Sequence, residues 1–189
     1  MINNVILLRH GESLTNAMNI VSDLFDKYPL TEKGILQAQK IAYQLKDLKI
    51  DAIVSSPILR ARETATIISE KISMNFSMDE RLREIRMGTF NEKNIAEVPK
   101  FTYESDVLEP WNAIEDRMMA VMNSYSGNVI LISHGFPIRV VAAHYLGLKE
   151  DESYGIYINF ATVTAVNSEK KVISIGSPRV TDNIREYFS

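Results

Sequence analysis

The chain has 189 residues, of which 46% are hydrophobic and 24% are charged. This is enough to form one substantial core, and the length is short for two domains. The formal net charge is -3 and there is no cysteine, so we expect no disulfide, no thiolate metal site, and no non-specific binding to nucleic acid or anionic membrane. No apolar run approaches the roughly 18 residues of a membrane span, and the N-terminus lacks the features of a secretory signal. The sequence therefore favours a single cytoplasmic domain over residues 1–189.

The first half of the chain alternates between strand and helix patterns. A short apolar run at residues 5–8 predicts a buried strand, and a second such run follows at 51–55. Thr31 is a suitable N-cap for a long amphipathic helix between them. The apolar residues that we expect on this helix are Leu36, Ile41 and Leu45. Pro57 suits the first turn of a further helix, which we expect to end near Ser69.

The second half continues this alternation after an irregular segment at residues 91–110, for which we expect a short cap or a specificity loop. The predicted elements after it are a helix at 111–124, a strand at 128–133, a helix at 137–146, and strands near 157–166 and 171–175. Gly147 is a suitable residue to end the second helix. Strands that alternate with helices predict a three-layer α/β/α sandwich with a mostly parallel central sheet.

Two of the three histidines follow directly after predicted buried strands. The first strand leads into Arg9, His10 and Gly11, and the strand at 128–133 leads into His134 and Gly135. In an open α/β sheet, ligands bind outside the carboxyl ends of the strands. If these two strands are neighbours, both imidazoles meet at one edge of the sheet.

Positive charge accompanies the two histidines. Arg9 precedes His10, and Arg60 lies in the first turn of the helix expected after residues 51–55. Arginine meets phosphate oxygens in bidentate fashion. Backbone N–H groups near Gly11 and Gly135 could bind an anion as well, and Asn16 could add a neutral donor. These residue types predict a pocket for a phosphate group.

Five sequence motifs, in family order, resemble the histidine phosphatase superfamily, which includes the cofactor-dependent phosphoglycerate mutases. The motifs are VILLRHGESLTN at 5–16, PLTEKGILQA at 29–38, SSPILRARETA at 55–65, LREIRMG at 82–88, and SHG at 133–135 leading to LGL at 146–148. The resemblance implies a phosphoglycerate mutase-like fold and an enzyme that transfers phosphoryl groups.

The resemblance also implies roles for individual residues. His10 would become the phosphohistidine, while Arg9, Arg60 and His134 would hold the phosphoryl oxygens with Asn16 in support. These roles agree with the chemistry, because a neutral imidazole nitrogen can attack phosphorus and nearby cations stabilise the transferring group.

A proton donor to the leaving oxygen is also implied by the resemblance. Glu80, Glu84 and Glu92 lie close together in sequence, and only the LREIRMG match selects Glu84. No metal is required by such chemistry, and we see no cluster of metal ligands.

Two enzymatic readings share the first step, and we favour the phosphatase. Mutases of this family have a tyrosine where this chain has Met87, and an arginine pair in the segment that follows. Here no arginine occurs between Arg86 and Arg117, although Lys93 and Lys100 could still bind a carboxylate. The alternatives are a mutase primed by 2,3-bisphosphoglycerate, the one cofactor that we consider, and a non-catalytic member that binds phosphate or protein.

Phe136 and Pro137 stand after the second His-Gly, where small residues are usual in the family. Pro137 has no N–H to offer a phosphate, and we expect Phe136 to line the pocket against an apolar or ring-shaped part of the substrate. The expected partner is a small phosphorylated substrate. A homodimer through an edge strand or the helix near Trp111 is compatible with the sequence.

Overall fold

The centre of the molecule is a sheet of six strands in the order β3-β2-β4-β1-β5-β6. The computed structural model describes residues 3–189. The strands are β1 (Asn3–Arg9), β2 (Ala52–Ser55), β3 (Phe76–Met78), β4 (Gly127–Ser133), β5 (Val163–Val166) and β6 (Val172–Ser177). Strands β3, β2, β4 and β1 run parallel, whereas β5 pairs antiparallel with both β1 and β6.

Helices cover both faces of this sheet. They are α1 (Leu14–Ala17), α2 (Glu32–Leu45), α3 (Leu59–Ile72), α4 (Trp111–Met122), α5 (Gly135–Leu146) and α6 (Asp182–Tyr187). Alternate residues of a strand point to opposite faces, and β1 shows the result: Ile6 and Leu8 join the core under α2, α3 and α6, while Val5 and Leu7 join the core under α4 and α5. The predicted three-layer α/β/α fold with a mostly parallel sheet is confirmed.

The predicted helices form with small shifts at their ends. Thr31 caps α2, and its Oγ1 accepts a hydrogen bond of 3.0 Å from the Gly34 amide. The helix predicted from Pro57 begins two residues later, at Leu59. Leu36 lies on the outer side of α2 with 65% of its surface exposed, because the buried stripe of the helix runs through other positions. The Leu36 assignment to an apolar inner face was therefore wrong.

The C-terminal part of the chain differs most from expectation. The strand predicted near 157–166 is limited to β5, and the residues before it form a turn and loop in which Tyr157 is 77% exposed and Ile158 is buried. The sequence analysis did not predict the short elements α1, β3 and α6. Segment 91–110 has no strand or α-helix, only short 3-10 turns at Ile95–Glu97 and Thr102–Glu104.

The parallel pairing of β1 with β4 fixes the position of the site. Its register places Arg9 opposite Ser133, so the next residues, His10 and His134, leave the sheet side by side. The loop after β1 then packs on the start of α2, where the Thr31 amide donates to the Glu12 carbonyl at 2.9 Å. Gly11 and Gly34 allow the two backbones to touch at this point.

Gly34→Ala is therefore expected to destabilise the fold, although alanine is the better helix former. An added Cβ would overlap the Glu12 carbonyl, and the forced shift of backbone costs about 1–3 kcal/mol. The matched control is Gly155→Ala, whose Cβ would meet nothing within 4 Å, with a change below about 1 kcal/mol. Urea unfolding of both variants tests this, and equal free energies of unfolding would contradict it.

Candidate active site

His10 is held as a neutral imidazole with one unprotonated nitrogen. Its Nδ1 lies 2.6 Å from the Gly11 carbonyl, which can only accept, so Nδ1 carries the proton and Nε2 keeps a lone pair. Arg60 Nε donates to that Nε2 at 3.1 Å. Burial, aided by the charges of Arg60 and Arg9, holds the pKa of His10 well below 6.5. The ring is therefore an unprotonated nucleophile at neutral pH.

Arg60 and Arg9 bring two buried cations to the ring. Arg60 Nη2 donates to the Ser22 carbonyl at 2.9 Å, and Arg9 Nη1 donates to the Ile158 carbonyl at 2.6 Å. The Arg9 guanidinium also lies 4.2 Å from the centre of the Phe160 ring. Burial lowers the pKa of Arg9 to about 10, so both arginines remain charged at neutral pH.

Unpartnered donors show where an anion would be stabilised. Arg9 Nε, Arg60 Nη1 and His134 Nδ1 are buried and have no hydrogen-bond partner within residues 3–189. Buried polar groups normally find a partner, and a buried cation without one is costly. A phosphoryl group beside His10 would satisfy these donors together.

His134 lies beside His10 with the two ring centres 5.0 Å apart, and it is fully buried. Its Nε2 lies 2.8 Å from Ser56 Oγ, which itself accepts from the Ile58 amide at 3.3 Å. With the Ser56 hydroxyl as the donor to Nε2, the single proton of the neutral ring sits on Nδ1, which lies 3.8 Å from Glu84 Oε2. Burial and the neighbouring cations keep the pKa of His134 well below 6.5.

Glu84 also lies close to Arg60 and His134. Its Oε2 lies 4.0 Å from Arg60 Nη2 and 3.8 Å from His134 Nδ1, and its Oε1 accepts from the Ile85 amide at 3.0 Å. Burial raises the pKa of Glu84 above its usual value, against the lowering effect of Arg60. The carboxyl group therefore keeps its proton to a higher pH than an exposed glutamate does.

The alternatives to Glu84 lie outside this cluster. Glu80 is exposed, and Glu92 pairs with Lys27 on the surface. The backbone that carries Glu84 is held by Arg117, which donates to the Arg83 carbonyl at 2.9 Å and forms an ion pair with buried Glu109 at 2.8 Å. The structure thus brings Glu84, and neither of the other two, to the histidines.

One expected contribution of the backbone is not available. The amides after His10 are already used, because Gly11 N donates to Thr64 Oγ1 at 3.2 Å and Glu12 N donates to Gln37 Oε1 at 2.9 Å. The prediction that free amides near Gly11 bind the anion is therefore wrong. Asn16 lines the cavity, and its Oδ1 accepts from Ser13, which leaves its NH2 group as the donor to a ligand.

A cavity of about 590 Å³ opens beside His10 and is much larger than a phosphate group. Gly135 and Phe136, which the sequence predicts to bind substrate, line it at the start of α5. A Cβ added at Gly135 would lie 3.2 Å from the Arg9 guanidinium. Segment 91–110 forms another wall. The sequence analysis missed Arg139, Tyr154 and Tyr157 as lining residues, although Arg139 lies one helical turn after Gly135 and so on the same face of α5.

Two polar residues near these motifs, His144 and Arg62, lie apart from the cavity. His144 pairs with Glu115 at 2.6 Å and Arg62 pairs with Asp26 at 2.5 Å, both at the surface. Neither residue lines the cavity.

Comparison with known proteins agrees with this geometry. The model of the histidine phosphatase superfamily (branch 1) matches residues 5–178. This protein belongs to the histidine phosphatase superfamily. It is therefore a phosphotransfer enzyme of that family, which favours the enzymatic readings over the non-catalytic one.

Relatives of this member of the histidine phosphatase superfamily have names that state different reactions. A 2,3-bisphosphoglycerate-dependent phosphoglycerate mutase of Thermoplasma acidophilum is 33% identical over 97% of both chains. The solved structure of Bacillus stearothermophilus YhfR is 24% identical, with a TM-score of 0.82 over 96% of this chain and 99% of that one. A phosphoserine phosphatase of Entamoeba histolytica, solved with 3-phosphoglyceric acid, is 22% identical with a TM-score of 0.80, over 96% and 99% of the two chains. The two solved structures show that the fold is shared.

Ser56→Ala is expected to reduce kcat because His134 loses the partner that fixes its tautomer. Loss of one such hydrogen bond corresponds to a decrease of about tenfold. Ser55→Ala removes an adjacent buried hydroxyl that bonds only to the Ser56 carbonyl at 2.9 Å, and it serves as the control. Turnover of an aryl phosphate and nitrogen NMR of the imidazoles measure the effect. An equal decrease in both variants would show that Ser56 only stabilises the fold.

Proposed function

We propose that this histidine phosphatase hydrolyses a small phosphomonoester through a phosphohistidine at His10. The observation that carries the proposal is the unprotonated Nε2 of His10, whose lone pair accepts from Arg60 Nε while the Nδ1 proton is held by the Gly11 carbonyl, amid buried donors without partners among the described residues. A nucleophile needs an unprotonated nitrogen, whose lone pair Arg60 Nε must release for attack, and the transferring phosphoryl group needs fixed positive charge. This site supplies both.

The steps follow from the positions of five side chains. The lone pair of His10 Nε2 attacks phosphorus, the bond to the ester oxygen breaks, and the proton of Glu84 passes to that leaving oxygen. Arg9, Arg60 and His134 Nδ1 would hold the phosphoryl oxygens throughout. Water then attacks phosphorus as Glu84 takes its proton, which releases phosphate and restores neutral His10 and protonated Glu84.

The residues after Glu84 support hydrolysis as the net reaction. Met87 lines the cavity where mutases of the family carry a tyrosine, and its thioether offers no hydroxyl to a substrate. The arginine pair of the mutases also has no counterpart between Arg86 and Arg117. This chain therefore lacks the tyrosine and the arginine pair that the mutases of the family carry for phosphoglycerate.

A mutase primed by 2,3-bisphosphoglycerate is the second candidate. It is favoured by the 33% identity to the Thermoplasma acidophilum mutase and by two further cations in the cavity, Arg139 and Lys100. In that reaction the phosphohistidine would transfer its group to a second oxygen of the bound substrate. The two candidates share His10 and Glu84 and differ in what accepts the phosphoryl group.

A paired assay separates these candidates. We expect phosphate release from a panel of phosphomonoesters to exceed isomerisation of 3-phosphoglycerate, with or without 2,3-bisphosphoglycerate. His10→Ala should abolish turnover and acid-labile phosphorylation of the protein, whereas the control His144→Ala should keep both. Dominant isomerisation that depends on bisphosphoglycerate would favour the mutase, and equal loss in the two histidine variants would refute the assignment of His10.

Glu84→Gln is expected to slow the hydrolysis of alkyl phosphates by about 100-fold or more and that of aryl phosphates much less, because a good leaving group needs little protonation.

The pH dependence of the reaction gives a second test of Glu84. The pKa of Glu84 is raised, so its acid form persists above the usual pH range and is lost as the pH rises further. The pKa of His10 is lowered, so the nucleophile stays unprotonated on the acid side. Activity on alkyl phosphates should therefore fall on the alkaline side in the wild type, and this limb should vanish in Glu84→Gln. Retention of the limb would count against Glu84 as the acid.

A further inference from the structure

Arg139 is a cation that the proposed chemistry does not use. It projects from α5 into the cavity, and its Nε is buried without a hydrogen-bond partner among the residues that the structure describes. Four residues separate it from Gly135, which corresponds to about 6 Å along the helix axis. A Cβ added at Gly135 would lie 3.2 Å from the Arg9 guanidinium, so Arg139 lies one helical turn along α5 from the residue beside Arg9.

Aromatic rings surround the Arg139 guanidinium. It lies 4.4 Å from the centre of the Phe136 ring and 5.9 Å from that of Tyr154. The charges of Glu150 and Glu84 act on it from a distance, and both carboxylate oxygens of Glu150 accept hydrogen bonds from the amide and hydroxyl of Thr102, at 2.6 and 2.8 Å. No carboxylate within residues 3–189 comes within the 4.0 Å of an ion pair with Arg139.

Lys100 adds a second cation at the same place. Its Nζ lies 3.7 Å from the centre of the Tyr154 ring, so Arg139 and Lys100 share one aromatic side chain. Two like charges repel in a partly buried pocket unless an anion lies between them. Burial lowers the pKa of Arg139, against the raising effect of Glu150.

Apolar residues also line the cavity, and they suit an uncharged part of the ligand. Val98, Ile156, Ile158 and Phe136 are among them. The cavity thus combines the cations beside His10, a further cation at Arg139, and an apolar lining. Phe136 serves as the platform for Arg139, in addition to the contact with substrate that the sequence predicts.

We propose that Arg139 and Lys100 bind a second anionic group, so that the substrate is a small phosphomonoester that also carries a carboxylate or a second phosphate. This inference rests on the proposed function, since it assigns the substrate class of the same site. A guanidinium can bind either group with two parallel hydrogen bonds. Lys100 would add a point charge from segment 91–110.

Matched substrate pairs test the proposal. The carboxylate pair is 3-phosphoglycerate and glycerol 3-phosphate, and the phosphate pair is glucose 1,6-bisphosphate and glucose 6-phosphate. The wild type should prefer the member with the second anion in at least one pair, measured as the ratio of the two kcat/KM values. Arg139→Met should reduce this ratio by about 10- to 100-fold, with Lys100→Met in the same direction by less. The pair that responds identifies the second anion.

Lys93→Met is the matched control, because Lys93 is an exposed lysine of the same segment that does not line the cavity. It should leave both substrate ratios unchanged. Thermal melting of each variant checks that the fold is intact, and Lys100→Met provides an exposed substitution if Arg139→Met does not fold. Ratios near one in the wild type, or ratios that neither variant changes, would overturn the proposal.

A binding measurement separates this proposal from the proposed function. In the His10→Ala protein, calorimetry should show tighter binding of 3-phosphoglycerate than of glycerol 3-phosphate, or of glucose 1,6-bisphosphate than of glucose 6-phosphate. Adding Arg139→Met should remove the difference. Such a difference would support the second anion site even if the wild type hydrolysed none of these esters, whereas hydrolysis without any binding difference would refute the site alone.

Discussion

The parallel pairing of β1 with β4 is the constraint on which the site depends. Backbone hydrogen bonds set Arg9 opposite Ser133, and a shift of one residue would turn the side chains of a strand to the other face of the sheet. The buried apolar residues on both faces prevent such a shift. His10 and His134 consequently leave the sheet together, and their ring centres lie 5.0 Å apart.

The charges around these rings form one consistent set. Burial lowers the pKa of both imidazoles, and the charges of Arg60 and Arg9 add to this effect, so both rings stay neutral. Burial also raises the pKa of Glu84, although Arg60 opposes it. The result is a neutral nucleophile, an acid with a raised pKa, and guanidinium donors without a hydrogen-bond partner among the described residues. Each of these features suits an incoming phosphate dianion.

Hydrolysis and isomerisation use the same histidines, so the residues around Arg139 and Lys100 distinguish the two reactions. Met87 and the stretch without arginine after Arg86 distinguish this chain from the mutases of the family, while the relative from Thermoplasma acidophilum carries a mutase name. Arg139 and Lys100 offer another way to hold a second anion. A site of this kind suits a phosphatase for an acidic substrate as well as a mutase.

The sequence by itself determined the fold class and the two His-Gly strand ends, and its residue types predicted a phosphate pocket around Arg9, His10, Arg60 and His134. These features can be predicted locally, because the spacing of apolar residues and the residues of the turn after a strand lie within short stretches of sequence. Only the resemblance to the family singled out Glu84. The period also misplaced Leu36, which a helical pattern permits on either side of a stripe until the packing partner is known.

The tertiary structure decided which groups are available at the site. It engaged the amides of Gly11 and Glu12 with side chains from α2 and α3, paired Ser56 with His134, and brought Lys100 to Arg139 across Tyr154. Such contacts join residues that are far apart in sequence, and no periodicity records them. Whether a donor is free or already bonded depends on its neighbours in space, and for that reason only the folded chain could assign it.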